Sequence, residues 1–430
     1  MQEYLPSIVE ALLKIAVLIG GLMTAAAYLV LLERWIAAWV QDRKGPNRVG
    51  IPLTKIKLFG LGQPLADGLK FIFKEEQIPA HVDKFLYVLA PISILASALA
   101  VFAVIPFGSV LPPEVGLNQL GLERGSERIE LVVAPGIDVG MVYVFALSSI
   151  AVYGVILGGW ASNNKYSFLG GLRSSAQLIA YEIPLGLGIL GVVLASGSMR
   201  LDAIIGQQAA TGIWNVLSQP LGFVVFLVAA FAEAARLPFD LPEAEQELVG
   251  GYHTEYSGMK LLMYLIAEFL HMVTAAFLIV ILFLGGWHWW GLPTGNDIGW
   301  GTAILRIAIF MVKILAVIVF FMMVRWSWPR FRFDQLMALA WKVMLPLGLV
   351  NLVAVAILSE VRDAADGTFV ISWGMEAALI AAGWIVLIVA WVGAGLIAPA
   401  HGDNRPRLDV RPGVGPRQPT APRPQRMPIA

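Results

Sequence analysis

Runs of about twenty apolar residues recur along this chain, each long enough as a helix to cross a hydrocarbon core about 30 Å thick. In lipid, every backbone N–H and C=O must be satisfied within its own segment, so runs of this length cross as helices. Composition agrees. The chain is 58% hydrophobic and only 14% charged, where a soluble domain carries roughly 25% charged residues. The expected fold class is all-α, a polytopic transmembrane helical bundle. About nine spans are read at 8–34, 85–107, 139–160, 175–197, 221–237, 259–285, 302–325, 336–358 and 373–398.

The connections set an expected orientation. Lys and Arg number 22 in the connections and tail on one side and 4 on the other. The positive-inside bias then places the N-terminus outside and the C-terminus in the cytoplasm. The chain starts without the basic n-region of a signal peptide, and its first apolar run is expected to remain as an uncleaved span. With no cysteine, the chain can form no disulfide and ligate no iron–sulfur cluster through thiolates. Its five histidines have no metal-ligand spacing, so no metal is expected. Residues 399–430, rich in Pro and Arg, cannot build a core and read as a cytoplasmic tail. No nucleic-acid partner is expected.

The polar residues within and between the spans carry the functional information. Residues 61–74 are too short to cross; Leu65, Leu69 and Ile72 share one helical face and Asp67, Lys70 and Lys74 another. This is an amphipathic helix lying in the cytoplasmic interface. It is open whether it is a surface anchor alone or turns Asp67 towards a cavity. Four glutamates fall inside spans: Glu33, Glu182, Glu233 and Glu268. An ionised acid at a helix centre costs on the order of 3 kcal/mol. All four are read in the cytoplasmic half of the bilayer, Glu182 about two turns into its span, which suggests one shared polar cavity. Glu33 adjoins Arg34, Glu233 shares a helical face with Arg236, and Glu268 shares one with Tyr264 and His271. Lys313 falls near mid-membrane and calls for an anionic or protonatable partner. Between two spans lies an acidic loop, 238–258, with Asp240, Glu243, Glu245, Glu247 and Glu255. Gly250 and Gly251 there permit movement. Such acids can pass protons, or each can close a static ion pair between helices.

Several segments resemble one family. Residues 60–75 (Gly60-Leu-Gly-Gln-Pro-Leu-Ala-Asp-Gly-Leu-Lys-Phe-Ile-Phe-Lys-Glu75) and Pro238-Phe-Asp-Leu-Pro-Glu-Ala-Glu245 are similar to the two signatures of the respiratory complex I membrane subunit beside the quinone site. Glu33-Arg34, Arg43-Lys-Gly-Pro-Asn47 and residues 325–337 match in the same order. The resemblance implies an eight-helix core within 1–360, to which 361–398 adds one helix. It implies a quinone chamber at the cytoplasmic face, with Arg34, Trp35, Arg43, Gln63, Ala66 and Phe239 at its wall. It further implies a proton pathway through Glu33, Asp67, Glu182, Glu233, Asp240, Glu243, Glu245, Glu247, Glu255 and Glu268, with Arg236 and Lys313 as cations paired with the acids. Quinone would be the substrate. NADH, FMN and iron–sulfur clusters would sit on other subunits, namely the peripheral-arm quinone module, and small membrane-arm subunits would lie alongside.

The expected function is therefore that of a subunit of proton-pumping NADH:quinone oxidoreductase in a bacterial inner membrane. Two other readings stay open on the residues alone. One is the homologous membrane subunit of a hydrogenase-type complex without quinone; the other is a stand-alone cation/proton antiporter.

Overall fold

The computed structural model of the protein describes residues 5–50, 59–107, 131–242, 245–290, 300–366 and 373–397. Most of the connection 108–138, Glu243, the side chain of Glu245 and the tail 399–430 lie outside the described residues. No strand occurs among those described. In chain order the helices are α1 (Leu5–Val40), α2 (Gln63–Phe73), α3 (Lys84–Ala100), α4 (Gly140–Ala161), α5 (Lys165–Ser196), α6 (Leu201–Thr211), α7 (Asn215–Ser218), α8 (Pro220–Glu233), α9 (Glu245–Leu248), α10 (Gly258–Phe283), α11 (Trp300–Ser327), α12 (Phe333–Leu339), α13 (Leu345–Asp366) and α14 (Trp373–Ile397).

Among the described residues seven helices are long and apolar enough to cross a membrane: α1, α3, α4, α5, α10, α11 and the α12–α13 run, continuous through a π-helical turn at Ala340–Met344. Two shorter apolar helices, α8 and Ile380–Gly395 within α14, stand where the remaining expected spans were read. Packing divides the chain into a unit Met1–Ala390 and a short unit Trp391–Ala430, of which only the last turns of α14 are described.

Within the first unit, α10 is the core helix. From Ala267 to Phe283 all but two of its residues, Glu268 and His271, are buried, the mark of a helix enclosed by others. It packs against α1, α3, α8 and α11, while α5 packs against α4, α8 and α13. Outward faces remain apolar. On α1, Leu12, Leu13 and Val17 are all more than half exposed, as hydrocarbon-facing residues are.

Several boundaries differ from the sequence reading, among them the end of α1 at Val40 rather than 34, and two of them bear directly on a functional side chain. Asn164 caps α5 by accepting the Tyr166 amide, so the helix starts at Lys165 rather than near 175. Glu182 therefore lies close to five turns into α5, deep in the helix rather than two turns in. Hydropathy conceals this because Lys165 and Arg173 make the first turns look like a loop. At the other boundary, α8 stops at Glu233, and Ala235 adopts a left-handed φ of 48°. Arg236 is thus beyond the helix, and the shared Glu233–Arg236 face does not exist.

Glycines bring α4 into close contact with its neighbours, as small residues do in membrane bundles. A Cβ on Gly154 would lie 2.8 Å from Ile94 Cβ on α3. One on Gly159 would lie 2.7 Å from the Ser167 carbonyl oxygen and 3.2 Å from Gly171 Cα, both on α5. The atoms obstructing Gly159 are backbone and cannot swing aside. Gly159→Val is expected to destabilise the bundle by about 1–3 kcal/mol or more, read as a lowered thermal midpoint of the detergent-solubilised complex.

Candidate functional site

At the end of the bundle that carries the Lys- and Arg-rich connections, α1, the turn after α8, α10 and α11 meet through charges. Glu33 of α1 accepts from Arg236 at 3.3 Å and also pairs with Arg325 of α11. Arg236 Nε lies 3.0 Å from Glu268 of α10, and its guanidinium stacks 4.4 Å over the Phe269 ring. Glu33 and Arg236 are buried, at 8% and 3% exposure. Ionised, this group holds two cations and two anions, the condition under which buried charges tolerate loss of water.

Beside it opens a cavity of about 60 Å³, lined by Ser148 and Ser149 of α4, Glu182 of α5, Glu233 of α8, Glu268 and His271 of α10, and Pro242 and Tyr252 of the acidic loop. Three of the four span glutamates thus share one space, and Arg236 links the fourth to it. Ser148 donates to Glu233, and Ser149 donates to Glu182. Among the described residues no cation pairs with either of these two carboxyls. The cavity is large enough for several waters, with polar groups on several sides to hold them.

The acidic loop is fastened around this cavity. Gln177 of α5, fully buried, donates at 2.8 Å to both the Ala232 and Phe239 carbonyls. Asp240 pairs with Arg330 at 3.2 Å, and Glu247 with Arg173 at 2.6 Å. Glu255 accepts from Asn164 at 2.6 Å, while its carbonyl accepts from Tyr87. Tyr87 stacks on Tyr256, which meets Tyr264 edge-on. Burial pushes the Tyr256 phenol far above its ordinary range, so that ring stays neutral. Gly251 has φ 62° and sits so close to Gly170 of α5 that a Cβ on Gly170 would overlap it; the glycine supplies close packing here.

The residues expected at a quinone chamber divide. Arg34 pairs with Asp67 at 2.7 Å, and Gln63 donates to Asp67 at 2.9 Å, joining α1 to α2. Trp35 donates to the Pro46 carbonyl at 3.0 Å. It also lines an apolar groove of about 840 Å³ formed by α1, α10, α11 and segment 131–133, together with Leu61. Ala66 is on the exposed side of α2, and Arg43 donates to nearby Gln41. Phe239 is not with this group. It is buried, stacked on Phe331 at 5.5 Å and against Tyr181 at 5.7 Å.

Lys313 also departs from expectation. Its ammonium donates to the carbonyls of Leu284, Gly286 and His288 at 2.6, 2.9 and 2.6 Å, and lies 4.3 Å from the Trp214 ring. Among the described residues its partners are these carbonyls and indole faces, with no acid. Leu284 caps the C-terminal end of α10, where the helix dipole is negative, and Gly286 and His288 belong to the turn that follows. A lysine can therefore be buried there without a carboxylate.

Ser148, Ser149 and Gln177 were missed in the sequence reading. Each is a neutral polar residue inside an apolar run, a signal that hydropathy and charge pattern both pass over.

Taken together, the fold and site define a multi-pass membrane protein with an acid-lined cavity inside one end of its bundle and a wide apolar groove formed by α1, α10 and α11. A family model described as NADH dehydrogenase matches residues 13–356. The chain is 48% identical over 341 residues to an H-type subunit of NADH-quinone oxidoreductase from Geobacter metallireducens, covering 79% of this chain and 94% of that protein. To the corresponding H-type subunit from Cytophaga hutchinsonii it is 44% identical over 352 residues, covering 80% and 96%. The chain belongs to this NADH dehydrogenase family, as a membrane subunit of the H type found in NADH-quinone oxidoreductase.

Removing Arg236 leaves Glu33 with Arg325 alone and takes from Glu268 the guanidinium it faces. Arg236→Met is expected to destabilise by about 3–5 kcal/mol, seen as lost assembly of the chain into its complex. Adding Glu268→Gln to that variant should recover part of the loss, since fewer unpaired charges remain.

Proposed function

We propose that this chain forms the membrane wall of a quinone site in a proton-translocating NADH:quinone oxidoreductase and passes charge from it into the membrane. The observation that carries this reading is the Glu33, Arg236 and Glu268 group, joined through Glu268 to the cavity shared with Glu233 and Glu182, with the Arg34–Asp67 pair one position further along α1. The apolar groove beside Trp35 suits an isoprenoid tail, and the neighbouring Arg34–Asp67–Gln63 group suits a polar head. The chain has no cysteine; in this reading electrons arrive from iron–sulfur clusters on partner subunits, fed by NADH and FMN.

Quinone reduction takes up two electrons and two protons. The electrons place negative charge beside Arg34, and a charge change there biases every acid along the run through a medium of low dielectric. Glu33, Arg236, Arg325 and Glu268 compensate one another. Among the described residues Glu182 and Glu233 have hydroxyl partners and no cation, which makes them the groups free to exchange protons. Asp240, Glu247 and Glu255, held by Arg330, Arg173 and Asn164, form the loop that transmits the change, with Glu243 and Glu245 completing it. In this reading the basic connections face the cytoplasmic side of a bacterial inner membrane, with the N-terminus outside.

Glu233→Gln keeps the shape and removes the titrating proton. In the assembled complex it should lower quinone-linked proton pumping and quinone turnover by at least about tenfold, relative to NADH oxidation by a hydrophilic artificial acceptor. Wild-type pumping in that variant would reject the pathway. The groove has its own test. Val17→Trp fills it and should raise KM for a long-tailed quinone several-fold while sparing a short-tailed analogue; equal effects on both would remove the tail from the groove.

A further inference from the structure

Ser148 and Ser149 are consecutive on α4, a helix that contains no charged residue. They reach two different glutamates on two different helices, α8 and α5, inside one cavity. Neighbouring positions on a helix differ by about 100°, so two adjacent side chains address two partners only when both partners flank the same edge. The Gly154 and Gly159 contacts press α4 between α3 and α5 and bring that edge to the acids.

The two hydroxyls are not equivalent. Ser149 Oγ lies within bonding distance of two acceptors, Glu182 and, at 3.0 Å, the Phe145 carbonyl one turn back. A serine has one proton to donate and two lone pairs to accept with, so it donates to one of these acceptors at a time. With Glu182 as carboxylate, the Ser149 proton points to it. With Glu182 protonated, the acid O–H can donate to Ser149 Oγ, and the serine proton turns to Phe145, the back-bond that serines commonly make in helices. Ser149 is therefore satisfied in both protonation states of Glu182. Ser148, by contrast, has Glu233 as its acceptor among the described residues.

We infer that Ser148 and Ser149 are the proton-relay residues between Glu233 and Glu182, Ser149 acting as a hydroxyl with two resting positions. This rests on the proposed function and adds residues to it. One transfer balances as follows. The O–H bond of protonated Glu233 breaks as its proton passes to Ser148 Oγ, and the Ser148 proton passes to a water in the cavity. That water gives a proton to Ser149 Oγ, and the Ser149 proton forms the new O–H bond on Glu182. Both serines and the water end with the protons they need, and one proton has moved from Glu233 to Glu182. Rotation of the Ser149 hydroxyl to Phe145 then leaves Glu182 free to pass its proton on.

The test compares Ser149→Thr with Ser149→Val in the assembled complex reconstituted into vesicles. Thr and Val have nearly the same volume and branching and differ by the hydroxyl, so a packing role affects both alike. Quinone-linked turnover and proton uptake, normalised to NADH oxidation by a hydrophilic acceptor, should fall at least fivefold in Ser149→Val and recover most of that loss in Ser149→Thr. The solvent deuterium isotope effect on quinone turnover should rise in Ser149→Val, because proton movement becomes limiting. Equal behaviour of the two variants, or Val with wild-type turnover, overturns the inference. Glu182→Gln is run alongside. If it is impaired while Ser149→Val is normal, the relay fails and the proposed function stands; if both are normal, the pathway itself falls.

Discussion

The group Glu33, Arg236, Arg325 and Glu268 is the constraint on which this end of the molecule depends. It joins α1, α10 and α11 to the turn that follows α8, segments separated by up to about 290 positions in the chain. None of these charges could be buried alone without a cost of several kcal/mol per ion. Held together they balance. Arg236 reaches two carboxylates because α8 stops one turn before it; a longer α8 would carry the guanidinium around the helix and away from both. The helix terminus and the ion-pair group are one feature seen at two scales.

That group also divides the four span glutamates by the partners they meet. Glu33 and Glu268 face guanidinium groups, whereas Glu233 and Glu182 face serine hydroxyls. A guanidinium has no acceptor and does not release its protons, while a hydroxyl can both give and take. Four glutamates that look alike along the sequence are thus two kinds of group, and the partner makes the difference.

Much of this was legible beforehand, for identifiable reasons. The spanning helices, the α2 amphipathic helix and the clustering of Glu182, Glu233 and Glu268 follow from period, length and the cost of acids in lipid, which are local or additive signals. Arg236 was expected to pair with acids and does, though with Glu33 and Glu268 rather than along a face shared with Glu233; Lys313 was expected to meet an acid and meets carbonyls. Both differences arise because the partners are set by chain turns, and hydropathy reports only where a run is apolar. A run of alanines ending in Ala234–Ala235 reads as helix, yet a left-handed Ala235 closes it. The resemblance put Phe239 at the wall of the quinone chamber; its ring fills a slot between Tyr181 and Phe331 that needs three distant segments to exist. Ser148 and Ser149 carry no charge to attract attention, and their meaning appears only once α5 and α8 stand beside α4.

Two buried cations, Arg236 and Lys313, show why a cation in an apolar region does not by itself indicate a proton route. Arg236 neutralises carboxylates, so any change in their protonation leaves it with excess positive charge and couples it to its neighbours. Lys313 is held by carbonyls of the α10 cap and of the turn after it, which do not titrate, so its partners are the same whatever the acids do. The indole faces of Trp214 and Trp289 add attraction without adding a titratable group. One buried cation is therefore joined to the acids, while the other fastens α11 to the turn that follows α10. Under the proposed function such a fastening keeps these two helices in position while the acids change state.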